Sequence, residues 1–113
     1  MPNKAPSGSQ RGHQEERGLI ELTGSFFWEH EDEILSMIKN TDQAKGDPVI
    51  TKIKTLGKPK SGIVKVTAKS MHFAQSIGKK LAKAYKGEAK FDKQPADKLI
   101  RVYWHRDIED EDQ

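Results

Sequence analysis

Lysine side chains are the residues of this chain whose number and spacing point most clearly to a chemistry. Between Asp47 and Arg101 the sequence contains fourteen lysines and arginines but only four acidic residues, which gives this stretch a net charge of +10. The whole chain carries only +3, because acidic residues are concentrated outside the stretch. A basic block on a folded segment is typical of proteins that bind a polyanion, most often nucleic acid.

Six of these lysines are candidate contacts to the phosphates of a nucleic-acid backbone. Two lie in a turn-rich loop and four lie on one side of a predicted helix: they are Lys58, Lys60, Lys79, Lys80, Lys83 and Lys86. Binding through such contacts weakens steeply with salt and is insensitive to base sequence. The alternative for each group is a solvated surface, where lysine is common.

The loop from Gly57 to Gly62 has two glycines at the spacing of a phosphate-binding loop. However, no Lys-Ser or Lys-Thr pair follows Gly62, and the loop joins two predicted strands instead of opening a helix. A nucleotide-binding loop of this type is therefore not expected, and the segment is better explained as the basic tip of a hairpin.

Residues for metal or covalent chemistry show no recognisable pattern. The chain has no cysteine, which excludes disulfides, thiol nucleophiles and thiolate zinc sites. Its four histidines (His13, His30, His72 and His105) lack metal-ligand spacing, and the acidic residues around His30 are explained by the dipole of a helix that starts there. We therefore predict no metal, no cofactor, no catalytic residue and a non-enzymatic function.

The two ends of the chain differ from its middle in composition. Residues 1–18 are polar and rich in Pro, Gly and Ser, and we predict a disordered tail. Residues 107–113 carry five carboxylates and are predicted to form a disordered acidic tail. Such a tail competes for the basic surface, binds a basic partner or only aids solubility. Residues 19–106 form one predicted domain. The sequence shows no membrane span and no secretory signal, so we expect a cytoplasmic protein without a membrane partner.

Seven elements are predicted in residues 19–106. Strands are expected at 19–23, 49–56, 63–67, 88–92 and 98–105, and helices at 28–44 and 71–86. In the second helix Ser70 is the expected N-cap, and Phe73, Ile77, Leu81 and Tyr85 recur every four residues opposite the lysines.

This order predicts an α+β fold, namely a two-layer sandwich with a mostly antiparallel sheet and both helices on one face. The element order β-α-β-β-α-β-β suggests a ferredoxin-like arrangement. The alternation of Ile100, Val102 and Trp104 with polar neighbours places Tyr103 on the other face of the sheet, where it is a candidate for stacking on unpaired bases. Phe91, and Tyr85 at the end of the second helix, are further candidates.

Several segments resemble a group of small bacterial proteins that are sometimes labelled as relatives of a eukaryotic and archaeal factor in ribosome export and messenger decay. The segments are 20–27, 33–40, 77–81, 84–88 and 99–104. Members of this group often carry cysteine pairs before the first strand, suggesting a small zinc module; this chain has none. The resemblance implies a role near ribosomes or RNA and implies no catalytic residues.

Two main hypotheses follow, and an enzyme that acts on a small molecule is a third, which a deep pocket with converging polar groups would favour. The first is a module that binds RNA or ribosomes through backbone phosphates without being an enzyme. The second is a protein-interaction or self-associating module that uses an exposed sheet face or an edge strand instead of the lysines.

Overall fold

The computed structural model describes residues 15–44, 46–58 and 60–108. Five strands, three helices and one 3-10 turn occur in them. In chain order these are β1 (Arg17–Thr23), α1 (Ser25–Glu29), α2 (Glu31–Gln43), β2 (Ile50–Leu56), β3 (Ile63–Ala68), α3 (Met71–Tyr85), β4 (Glu88–Gln94), the 3-10 turn (Pro95–Asp97) and β5 (Leu99–His105).

The strands form one mixed sheet in the order β2-β3-β1-β5-β4. Three neighbouring pairs are antiparallel, whereas β1 and β5 run parallel. The predicted α+β class and the β2–β3 hairpin are confirmed, but the ferredoxin-like strand order is not. The difference arises after α3. There β4 forms the edge of the sheet, and β5 turns back and pairs between β4 and β1, parallel to β1.

The hydrophobic core lies on one face of the sheet. Alternate residues of β1, β3 and β5 are buried there, because successive side chains of a strand point to opposite faces. The largest fully buried side chain, that of Trp104, belongs to this set. All three helices contribute to the same cluster, including Phe27 from α1, Ile34 from α2 and Ile77 from α3.

The single helix predicted at 28–44 is instead two helices that meet at His30. His30 has φ −117° and ψ 25°, outside the helical region, and α2 begins one residue later. On one continuous helix Trp28 would point about 100° away from Phe27, Ile34 and Ile38, which lie in one row. The break allows Trp28 to be buried together with them.

Helix α3 follows its prediction closely. The hydroxyl of Ser70 accepts the backbone N–H of Phe73 at 3.0 Å and so caps the helix. At the other end the carbonyl of Lys86 accepts the indole N–H of Trp104 at 2.7 Å, and Gly87 follows with φ 83°. The buried positions of α3 end at Leu81, so Tyr85, the last of the four apolar residues expected on the core side, is only half-buried.

Candidate nucleic-acid interface

The six lysines singled out in the sequence do not lie on one surface. Lys79, Lys80 and Lys83 are exposed on α3, whose opposite side packs on the sheet, and Lys86 is exposed at the residue that follows the helix. One of these, Lys80, lies toward α2 and donates to the hydroxyl of Thr41 at 3.3 Å. The other two, Lys58 and Lys60, are exposed at the tip of the β2–β3 hairpin. The structure thus divides the candidate site into a helix group and a hairpin group.

A second basic surface lies on the face of the sheet that points away from the core. In the described part of the chain, the helices pack only against the opposite face, since their buried residues cluster with the core-facing residues of the strands. We call this surface the open face. It carries six basic and three acidic side chains: Arg17, Lys52, Lys54, Lys65, Lys90 and Arg101, with Glu21, Glu88 and Asp92.

Strand pairing aligns five residues of the open face in one row across the whole sheet. Lys54 pairs with Lys65, Lys65 with Glu21, Glu21 with Tyr103, and Tyr103 with Lys90. Neighbouring strands are about 4.8 Å apart. The row therefore places two lysines at one end and one lysine at the other, with Glu21 and the half-buried aromatic ring of Tyr103 between them.

The ring of Tyr103 borders a shallow hollow on the open face. The hollow has a volume of about 330 Å³ and is lined by Glu88, Lys90, Tyr103 and His105. An aromatic ring on an accessible sheet face next to lysine is the combination that proteins use to hold single-stranded nucleic acid, because the ring stacks on a base while the cation contacts a phosphate.

A larger cleft of about 700 Å³ lies at the end of the sheet, between the β2–β3 hairpin and the start of α1. One wall contains a hydrogen-bonded chain in which the hydroxyl of Thr23 lies 2.7 Å from Nδ1 of His105, and Nε2 of His105 lies 3.0 Å from Asp107. The other wall comes from the hairpin and includes Leu56 and Ile63.

Asp107 also ties the end of the described chain to α1. Its carboxylate accepts the backbone N–H of Ser25 at 2.9 Å, and the backbone N–H of Ile108 donates to the Ser25 hydroxyl at 2.8 Å. The bond from the Ser25 amide, together with the one to His105, holds the pKa of Asp107 below its usual range. Residues 109–113 of the predicted acidic tail, and residues 1–14 of the predicted N-terminal tail, lie outside the described residues.

The Thr23–His105–Asp107 chain has the residue types of a hydrolase triad but not its surroundings. The side chains of His105 and Asp107 are 50% and 62% exposed, so water competes for both. A catalytic base gains its strength from a site that excludes water. These contacts are better explained as an anchor that holds Asp107 and Ile108 against the start of α1.

A second polar contact joins α2 and α3. The hydroxyl of Tyr85 donates to Glu33 at 3.0 Å. Partial burial, reinforced by this hydrogen bond and by the negative charge of Glu33, raises the pKa of Tyr85. Tyr85 thus remains protonated and holds the two helices together, which removes it from the stacking candidates.

Sequence reasoning placed Tyr103 on the exposed face but missed the row around it. The alternation of apolar and polar residues in β3 is a signal that would have assigned Lys65 to the outer face. The alignment of Lys54, Tyr103 and Lys90 in one row depends on strand order, for which the sequence offers no local signal.

The described residues contain no group of three or more His, Cys, Asp or Glu side chains that is placed to hold a metal ion. Within the same ranges, no helix has the length and apolar character needed to cross a membrane. Comparison with protein-family models, curated proteins and solved structures finds no match to this chain.

Proposed function

We propose that this protein is a non-enzymatic RNA-binding module that holds a single strand on the open face of its sheet. The observation that carries the proposal is the row in which Lys54 and Lys65 lie on one side of Tyr103 and Lys90 on the other. A strand of RNA that runs along this row would place phosphates beside the lysines and stack one base on the ring of Tyr103.

Five of the six lysines first singled out keep a place in this proposal; Lys80, which donates to Thr41 of α2, is left out. Lys58 and Lys60 extend the basic surface from β2 and β3 into the hairpin tip. Lys79, Lys83 and Lys86 lie on the opposite side of the domain and serve as a separate, weaker phosphate contact, as expected where RNA is folded around the protein, for example in a ribosome. The resemblance noted in the sequence supports RNA over DNA as the partner.

The test is binding to labelled single- and double-stranded RNA and DNA at about 50 and 200 mM salt, where phosphate contacts predict a loss of tenfold or more between the two salts. A variant with Lys54→Glu and Lys65→Glu is compared with a matched control that carries Lys79→Glu and Lys83→Glu. We expect the sheet variant to lose most of the affinity for single-stranded RNA and the helix variant to lose less.

Equal affinity of both variants and the parent protein would contradict the proposal. A larger loss in the helix variant would move the site to α3. Weak salt dependence with tight binding would also count against a phosphate-based interface.

The second candidate function, protein interaction, is favoured by one observation at the sheet edge. Phe91 of the edge strand β4 is 42% exposed, and β4 has a strand partner on one side only within the described sheet. Against it, β4 carries Lys90, Asp92 and Lys93, and charged residues on an edge strand discourage pairing with another chain. Self-association measured by light scattering, lost on Phe91→Ser, would favour this function.

A further inference from the structure

We infer that the cleft at the end of the sheet takes one nucleotide of the bound RNA, with its base between the hairpin and α1 and its phosphate at Lys60. This inference rests on the proposed function, because it names the next contact of the same strand beyond the open face. The cleft is lined by residues of β1, β5, α1 and the β2–β3 hairpin.

The cleft continues the open face. Leu56 and Ile63 come two residues beyond the paired Lys54 and Lys65, so they point to the same face about 6.5 Å further along their strands. In the same way, the paired Thr23 and His105 come two residues beyond Glu21 and Tyr103. A strand that stacks a base on Tyr103 therefore meets the cleft directly as it leaves the row of lysines.

The composition of the cleft suits a base, which has two apolar faces and a polar rim. Its lining is mostly apolar, with contributions from Trp28, Leu56 and Ile63. Trp28 is nearly buried and is oriented by a hydrogen bond of 3.2 Å from its indole N–H to the carbonyl of Gly62. Apolar clefts with a few convergent polar groups are the usual form of small-ligand sites.

The polar groups lie where the rim of a base and a phosphate need them. His105 and Thr23 form one wall and offer ring nitrogens and a hydroxyl. Lys60 is exposed, lines the cleft and provides the positive charge. The carboxylate of Asp107, which would repel a phosphate, already accepts the Ser25 amide.

Two glycines shape the part of the hairpin that lines the cleft. Gly57 has φ 84°, and a Cβ at Gly62 would lie 2.1 Å from the carbonyl oxygen of Leu56, so a larger residue at either position is strained. The hairpin bends sharply at these two points and leaves Ser61 exposed beside the cleft. A larger side chain at Ser61 is therefore a means of blocking the cleft without altering the sheet.

The experiment is a titration of the protein with adenosine and uridine 5′-monophosphates, followed by tryptophan fluorescence, with ribose 5-phosphate as the probe that lacks a base. Trp28 lines the cleft, whereas Trp104 is fully buried behind the sheet, so quenching by a nucleotide reports Trp28. A Trp28→Phe variant should lose the quenching, which would assign the signal to Trp28.

Three variants locate the binding. Ser61→Tyr blocks the cleft, and Ser76→Tyr, an exposed serine of α3, is its matched control. Ile63→Ala removes part of the apolar wall. We expect nucleotides to quench the fluorescence, ribose 5-phosphate to bind at least about fivefold more weakly, and Ser61→Tyr and Ile63→Ala, but not Ser76→Tyr, to weaken nucleotide binding by about fivefold or more.

Equal binding of ribose 5-phosphate and the nucleotides, or no effect of Ser61→Tyr, would overturn the inference. The proposed function is judged separately, by the long RNA and the Lys54→Glu, Lys65→Glu variant. Tight binding of long RNA that is unchanged by Ser61→Tyr would leave the open face as the interface and remove the cleft from it.

Discussion

The carboxylate of Asp42, near the end of α2, accepts the backbone N–H of Val49 at 2.6 Å, seven residues further along the chain. Its second oxygen accepts the N–H of Ile50 at 3.2 Å. Asp42 is also the only charged side chain among the described residues that is buried, with 4% exposure. The contact fixes where β2 starts, and β2 carries the first lysine of the row on the open face.

Replacing Asp42 with alanine should destabilise the fold by about 1–3 kcal/mol, because two half-buried backbone N–H groups lose their acceptor. Urea denaturation measures this loss, and Asp42→Asn, which retains one acceptor oxygen, should cost less. Asp32→Ala, at an exposed position in the first turn of α2, is the control and should stay within about 0.5 kcal/mol. Equal effects at Asp42 and Asp32 would show that the contact is unimportant.

Gly18 allows α3 to approach β1 closely. A Cβ at Gly18 would lie 2.5 Å from Cβ of Ala74 and 2.7 Å from the carbonyl oxygen of Ser70, both far too short. Gly18→Ala should therefore destabilise the protein by about 1–3 kcal/mol through overpacking. Adding Ala74→Gly removes one of the two clashes, so the double variant should be more stable than the sum of the single effects predicts. Strict additivity in denaturation experiments would refute this account.

The anchor at Asp107 should open in acid. Since its pKa is lowered in the folded protein, its contacts stabilise the chain end above the ordinary pKa of aspartate, about 3.9, and are lost as the pH falls through the lower, folded value. An NMR pH titration should show the Ser25 amide moving in this acidic range, and Asp107→Asn should abolish that movement. If the Ser25 amide shifts with pH in Asp107→Asn as it does in the parent protein, Asp107 is not the group that titrates there.

The ring of Tyr103, more than its hydroxyl, should matter for RNA. We expect Tyr103→Phe to bind single-stranded RNA nearly as well as the parent, and Tyr103→Ala to lose about 1–3 kcal/mol, the usual value of one stacked base. The dependence of affinity on salt should be the same in all three proteins, because no phosphate contact is removed. Lys54→Gln should reduce that dependence instead. An unchanged affinity of Tyr103→Ala for single-stranded RNA would exclude stacking on this face.

Local patterns in the sequence determined most of the elements. The capping hydroxyl of Ser70 and the four-residue spacing of apolar residues predicted α3, and two strands rich in β-branched residues around a glycine-rich turn predicted the β2–β3 hairpin. Both depend on interactions between residues close in the chain, which is why sequence alone was sufficient.

Contacts between distant segments decided the rest. The break at His30 follows from the need to bury Trp28 beside Ile34 and Ile38, a demand of packing that no local residue signals. The sequence also determined the charge of the chain and the side of each strand on which Lys65 and Tyr103 lie. Only the tertiary structure decided that they belong to one row, because β5 enters the sheet parallel to β1 and so brings Tyr103 within two strands of Lys65. Strand order is set by the combined packing of the helices on one face of the sheet. The free energy of that packing comes from contacts between several segments and cannot be read from any one of them.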